Sequence, residues 1–283
     1  MNIKTIDRCT LVDVVTIWNE GFSNYYAPVQ TDSNSFIKRL ANEDIEATSS
    51  FVAEEDGKLQ GILLNGFYEN NGKILAWNGG TAVHPNARRK GVGRLLLQKT
   101  LEEYKKRGVK HATLEAIKEN TGAISLYEEL GYKIKDELVF FKGNVEKKAS
   151  IDVEFTRPEL LPKITIYNND VPWQCRAESN LTAQAALFFD QFKNPIGYTL
   201  YKQIDGETKQ TRILQIELLN TVTLDDFLAM LFVITEGGSF TTVNTPLSSR
   251  AAKYFINLNT EEMTRQVWME KEINREVCLY FKY

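Results

Sequence analysis

The chain has 283 residues, 43% of them hydrophobic and 25% charged, with a formal net charge of −3. That suits a globular protein burying one large core or two smaller ones. Residues 1–142 carry equal numbers of basic and acidic side chains, so neither half is a polybasic nucleic-acid binder.

No apolar run approaches membrane-spanning length, and the N-terminus MNIKTIDRCT lacks the apolar core of a secretory leader. No membrane association is expected, and the expected location is cytoplasmic. Cys9, Cys175 and Cys278 are odd in number and far apart, without a Cys-x-x-Cys pair. They read as reduced, buried thiols rather than disulfides or a zinc site.

In chain order, residues 11–22 repeat apolar side chains at helical spacing and end near Gly21. A second helix is expected over 35–43. Residues 51–68 read as two strands around Glu-Asp-Gly-Lys, because Asp-Gly between apolar runs favours a hairpin. Residues 73–83 form another strand. A helix follows over 92–107, with Leu97, Leu101 and Tyr104 on one face and Gly108 as its stop. Residues 110–117 read as a strand and 121–130 as a helix ended by Gly131. Residues 132–143 read as a strand or hairpin. The order predicts an α/β domain over 1–146, with a polar linker at 142–150.

Residues 147–283 carry an echo of this plan. Shifted by 128 positions, Ala123, Tyr127 and Leu130 fall on Ala251, Phe255 and Leu258. Residues 212–234 again read as strand then helix, joined at Asn220–Thr223 with neither glycine nor a basic residue. Internal duplication and chance similarity in a short window are both open.

The stretch Val-His-Pro-Asn-Ala-Arg-Arg-Lys-Gly-Val-Gly-Arg, 83–94, carries the chemistry. A glycine turn at a helix start exposes backbone N–H groups at the positive end of the helix dipole. Gly91 and Gly93 let an anion approach, and Arg88, Arg89, Lys90 and Arg94 add positive charge. The expected ligand carries a phosphate or pyrophosphate. A Walker loop is excluded because no Ser or Thr follows a Gly-Lys, and a dinucleotide fingerprint is excluded by Leu96.

The strand ending Ala-Val-His-Pro, then Arg-x-x-Gly-x-Gly (Arg88, Gly91, Gly93) and an amphipathic helix, resembles the acetyl-CoA motif of the GNAT superfamily of N-acetyltransferases. NTGAISLYEELGY, 120–132, resembles its second signature. The resemblance implies a mixed, splayed central sheet flanked by helices, with two such domains in tandem and the second copy degenerate: 1–146 catalytic, 147–283 without the CoA motif. It implies that Thr81, Ala82 and Val83 pair with the pantetheine arm, and that Arg88, Arg89, Lys90, Gly91, Val92, Gly93 and Arg94 surround the pyrophosphate. It further implies that Asn120 contacts the arm and that Tyr127 protonates the leaving thiolate.

The implied function is transfer of an acetyl group from acetyl-CoA to an amine of a small molecule or peptide, by direct attack in a ternary complex, without a metal. The strand 73–83 has no carboxylate, so Glu115 on the next strand is the candidate base, and Glu20 a weaker one. Trp77 and Asn78 stand where acceptor contacts are expected. Tyr25 and Tyr26 read as pocket residues, and Trp18 and Phe22 as core. Plain structural readings stay open: Asn120 as a helix cap, Tyr127 as packing. His84 and His111 read as structural or exposed. The rival function is a non-catalytic CoA-binding module with a partner-binding second domain. The protein is expected as a monomer or homodimer.

Overall fold

The computed structural model describes residues 1–26, 29–70, 72–146, 150–204 and 210–273. Cys278, part of the expected linker and two positions of the aromatic segment at 18–29 lie outside them. By internal contacts the chain divides into Met1–Ile134 together with the segment from Met269, and Lys135–Trp268. This division is not linear, whereas the sequence placed a single boundary at 146/147.

The first unit contains β1 (Asn2–Thr5), α1 (Leu11–Gly21), α2 (Ser33–Asn42), β2 (Phe51–Glu55), β3 (Lys58–Asn70), β4 (Lys73–Val83), α3 (Val92–Arg107), β5 (His111–Ile117) and α4 (Thr121–Glu129). Strand β1 has no strong sequence signal and was not expected. The strand order is β1-β2-β3-β4-β5, antiparallel up to β4 and parallel between β4 and β5. Asp56 (φ 50°) and Gly57 (φ 74°) close the β2–β3 hairpin between paired Glu55 and Lys58. Two positive φ values match the twist of a two-residue hairpin, which is why Asp-Gly works there.

Local chemistry sets the helix ends. The Thr10 hydroxyl accepts from Asp13 N–H to start α1, and Asp32 accepts from Asn34 and Ser35 N–H to start α2. Gly108 ends α3 in the left-handed region at φ 73°. Helix α3 buries Leu96, Leu97 and Tyr104 against the sheet. A buried polar link fixes it there: the Tyr104 hydroxyl donates to Asn65 Oδ1 at 2.7 Å, and Asn65 Nδ2 donates to Ser49 O at 2.6 Å.

Strand β6 (Lys133–Asn144) is one continuous strand, not a hairpin, because no turn chemistry interrupts it. The second unit continues with β7 (Asp152–Thr156), β8 (Gln184–Phe189), β9 (Pro195–Ile204), β10 (Gln210–Leu218), α5 (Leu224–Thr235), β11 (Ser239–Thr242), β12 (Thr245–Pro246), α6 (Arg250–Asn257) and, as far as Trp268, β13 (Glu261–Glu272). Strands β8, β9 and β10 are antiparallel, and β11 joins β10 in parallel through α5. That is the plan of β2, β3, β4, α3 and β5 a second time. Phe188, Phe227, Met230, Phe240 and Phe255 form its core. Phe255, in the place of Tyr127, is fully buried among aromatic rings.

Among the described residues no helix is long and apolar enough to cross a membrane, and no cluster of His, Cys, Asp and Glu could hold a metal ion. Neither Cys9 nor Cys175 forms a disulfide.

Candidate functional site

Strand β4 pairs with β3 along its length, through Gly61↔Val83. Its pairing with β5 covers only Leu75 to Asn78. Beyond Asn78 the two parallel strands part, although β5 runs on to Ile117. The cause is local. The β3–β4 register shifts between Leu64↔Gly80 and Asn65↔Asn78, so Gly79 is an extra residue, a β-bulge that bends the strand. Gly80 sits at φ 145°, and a Cβ there would lie 2.6 Å from the Trp18 ring. Asn78 Oδ1 accepts from Gly80 N–H at 3.0 Å, and its Nδ2 donates to Thr81 Oγ1 at 2.9 Å. The Asn-Gly-Gly triplet inside a strand is the sequence signal for this bulge.

Past the bulge, His84 N–H bonds Gln60 O on β3. Alternate residues of an antiparallel ladder point the same way, so the polar backbone groups of Ala82 turn to β3 and those of Thr81 and Val83 to the open side. Ala82 therefore does not offer the free groups expected of it. Its methyl group instead faces Gly21, where a Cβ would come within 2.6 Å, so α1 crosses β4 almost backbone to backbone.

The glycine turn follows. Arg89 (φ 62°) and Gly91 (φ 83°) are both left-handed, and Gly91 caps α3 without any side-chain hydrogen bond. A Cβ on Gly91 would meet nothing within 4 Å, so conformation, not space, selects glycine here. The first-turn amides of Val92, Gly93 and Arg94 are thus uncapped by any side chain, at the positive end of a 16-residue helix. Arg89 and Lys90 are exposed beside them. Arg88 and Arg94 are engaged elsewhere. The Arg88 guanidinium donates to Gly21 O at 3.0 Å and Val83 O at 3.2 Å, clamping the end of α1 to β4, and Arg94 pairs with Glu129 on α4.

At the mouth of the splay stand Tyr127, Thr81, Tyr25, Tyr26 and Asn120. Tyr127 is buried, and burial pushes its phenol up to about 12; the facing Thr81 hydroxyl works against that shift, and nearby Tyr25 adds to it. Burial also raises the Tyr25 phenol, opposed by hydrogen bonds from the Asn120 side chain and the Ile117 amide. The Tyr26 hydroxyl reaches Glu119 O at 3.3 Å. The structure therefore brings the segment after α1 to the open end of β5. Asn120 also accepts from Ala123 N–H as the cap of α4.

The remaining predicted residues lie differently. Trp77 and Asn78 are buried; Trp77 Nε1–H donates to Glu115 Oε2 at 2.7 Å, and Asn78 holds the bulge. His84 Nδ1 accepts from Asn86 N–H as the cap of a short turn, and its Nε2 lies 4.0 Å from Glu20. Trp18 and Phe22 are core, as expected.

Residues 12–132 match the Acetyltransferase (GNAT) family. The [ribosomal protein bS18]-alanine N-acetyltransferase of Escherichia coli K12 is 32% identical over 95 residues, 34% of this chain and 62% of that protein. Among solved structures, a probable N-acyltransferase of unknown function from Enterococcus faecalis V583 aligns with a TM-score of 0.65 at 13% identity, over 97% of this chain and 73% of its own. A tandem GNAT protein from the clavulanic acid biosynthesis pathway aligns with the same TM-score and identity over 96% of this chain and 99% of its own. At such identity these two likenesses concern the fold, and they extend across both units. Residues 12–132 thus resemble the GNAT acetyltransferases, in a chain whose fold is similar to that of tandem GNAT proteins.

Proposed function

We propose that the protein is an acetyl-CoA-dependent N-acetyltransferase whose chemistry resides in the first unit. The observation that carries this reading is the coincidence of three features at one end of β4. These are an open strand edge at Thr81 and the Val83 N–H, an uncapped glycine turn at the start of α3, and a buried phenol, Tyr127, beside Thr81. The open edge suits an amide-bearing arm, which it would pair as a strand does. The uncapped amides with Arg89 and Lys90 suit a pyrophosphate. The bound cosubstrate supplies the acyl thioester.

The chain's own residues would then act as follows. Val83 N–H would receive the carbonyl oxygen as negative charge develops on attack by the amine nitrogen. As the carbon–sulfur bond breaks, the Tyr127 hydroxyl would give its proton to sulfur. A phenol held up at about 12 is fully protonated at neutral pH, so it is a standing donor. The amine proton would go to Glu115, held in place by Trp77 Nε1–H, or to solvent when the amine arrives neutral. Arg88 would act by fixing α1 to β4 rather than by touching phosphate. Tyr25 and Tyr26 would wall the acceptor side, with Asn120 on the arm. In this reading 1–146 is the working copy and 147–283 a copy without the CoA motif.

The acceptor is an amine of a small molecule or a peptide. The E. coli relative, by its name, acts on an alanine of ribosomal protein bS18, which puts alanine-bearing peptides in the test panel. The test is thiol release from acetyl-CoA against peptides, amino acids, polyamines and aminoglycosides, with calorimetric CoA binding in parallel. Release with one acceptor class supports the enzyme. One observation favours a CoA-binding module instead: Asn78 to Val83 contains no carboxylate. CoA binding without release for any amine would favour it, and no CoA binding would overturn both readings.

A further inference from the structure

The second unit has its own cavity, of about 290 Å³, and every residue lining it belongs to that unit. It lies at the place corresponding to the splay of the first unit. Strand β10 pairs with β11 only through Ile213↔Thr242 and then runs on to Leu218 paired with β9 on its other edge. Ile216, Glu217 and Leu218 from the stretch beyond the β11 pairing line the cavity, as do Ser249, Arg250 and Ala251 at the start of α6.

Its polar groups are firmly placed. Asn168 Nδ2 donates to Glu217 Oε1 at 3.0 Å, while Gln215 Nε2 donates to Asn168 O and to the Tyr198 hydroxyl, both at 2.7 Å. Burial raises the Glu217 carboxyl, with Asn168 and Gln215 opposing the shift. Other charged side chains on the wall have partners within it. Lys135 pairs with Asp170 and lies 4.0 Å over the Trp268 ring, and Asp136 accepts from Ser248 Oγ at 2.5 Å.

Two donors are not satisfied. Trp268 is 4% exposed and lines the cavity, yet its Nε1–H meets no acceptor. The buried Nε–H of Arg250, on the same wall, also meets none, although its Nη2 donates to Val222 O. Buried donors without acceptors are rare and costly, and a ligand oxygen is one remedy. The volume is just below the roughly 300–1,000 Å³ of drug-sized sites, room for a small metabolite and too little for CoA.

We propose that this cavity binds an amino-acid-sized zwitterion, its carboxylate received by Trp268 Nε1–H and Arg250 Nε–H and its ammonium facing Glu217. The site would give the second unit a sensing or recruiting role independent of the first unit's chemistry.

The test is calorimetry on the full chain with glycine, L-alanine, L-serine and L-methionine, with acetate and ethylamine as half-ligands. At least one amino acid is expected to bind one per chain, and each half-ligand about tenfold or more weaker. Glu217→Gln, which keeps size and shape, should weaken binding about tenfold, and Trp268→Phe likewise. Gly91→Val, in the first unit, should leave it unchanged. Circular dichroism checks that each variant folds. No binding by any of the four amino acids overturns the proposal. So does binding that neither Glu217→Gln nor Trp268→Phe weakens, or that Gly91→Val abolishes, which would move the ligand to the first unit.

Discussion

The starts of α3 and α5 occupy the same place in the two copies of one plan, yet one is open and the other is closed. At α3, Gly91 leaves the first-turn amides without a side-chain cap, and no acidic residue stands in that turn. At α5, Thr223 and Asp226 form a complete capping box: Asp226 N–H donates to the Thr223 hydroxyl at 3.2 Å, and Thr223 N–H donates to Asp226 at 2.9 Å. Asp225 adds a second negative charge in the same turn. An anion meets bare donors in the first unit, and carboxylates already in possession in the second. Two copies of one plan thus differ at a helix terminus that one leaves open and the other fills with its own side chains.

The comparison can be broken first at Tyr127. Tyr127→Phe removes the proton donor while keeping the ring, and turnover should fall by about 10²–10⁴-fold with CoA affinity kept. Steady-state kinetics with calorimetry would show it, and unchanged turnover would leave Tyr127 as packing. Next is Gly91→Val, which puts a β-branched residue at φ 83°. Strain of about 1–3 kcal/mol should raise the KM for acetyl-CoA some tenfold to hundredfold. A smaller effect, on stability alone, is expected from Thr223→Val. Loss of the cap should cost about 1 kcal/mol in urea unfolding without touching CoA binding.

The smallest effect concerns pH. The Tyr127 phenol is raised in the folded chain from an ordinary 10.0 to about 12. Burial of the neutral phenol therefore contributes stability that is fully present below about pH 10 and is lost as pH rises through about 12. Turnover should show no loss assignable to Tyr127 between about pH 6 and 9. A basic limb that disappears in Tyr127→Phe would contradict this.

Much of the first unit was legible because local chemistry decided it. Asp56-Gly57 fixed a hairpin, Gly91 and Gly108 bounded α3, and Arg-x-x-Gly-x-Gly marked the open terminus. What was not legible depended on partners distant in sequence. Arg88 looks like a phosphate ligand in the string, but Gly21 and Val83, 67 and 5 positions away, take its guanidinium. Trp77 and Asn78 look like acceptor contacts, yet β5 and the bulge claim their polar atoms. Tyr25 shows nothing of its approach to Ile117 and Asn120. In the second half, helix and strand were readable, but the pairing of Trp268, Glu217 and Arg250 around one cavity was not, because they come from β13, β10 and α6.

The central claim is that one unit binds CoA and the other does not. Titration of the full chain with CoA by calorimetry tests it most directly. The account predicts one CoA per chain, with affinity sharply reduced by Gly91→Val and unaltered by Thr223→Val. Two equivalents per chain, none at all, or binding indifferent to Gly91→Val would contradict it.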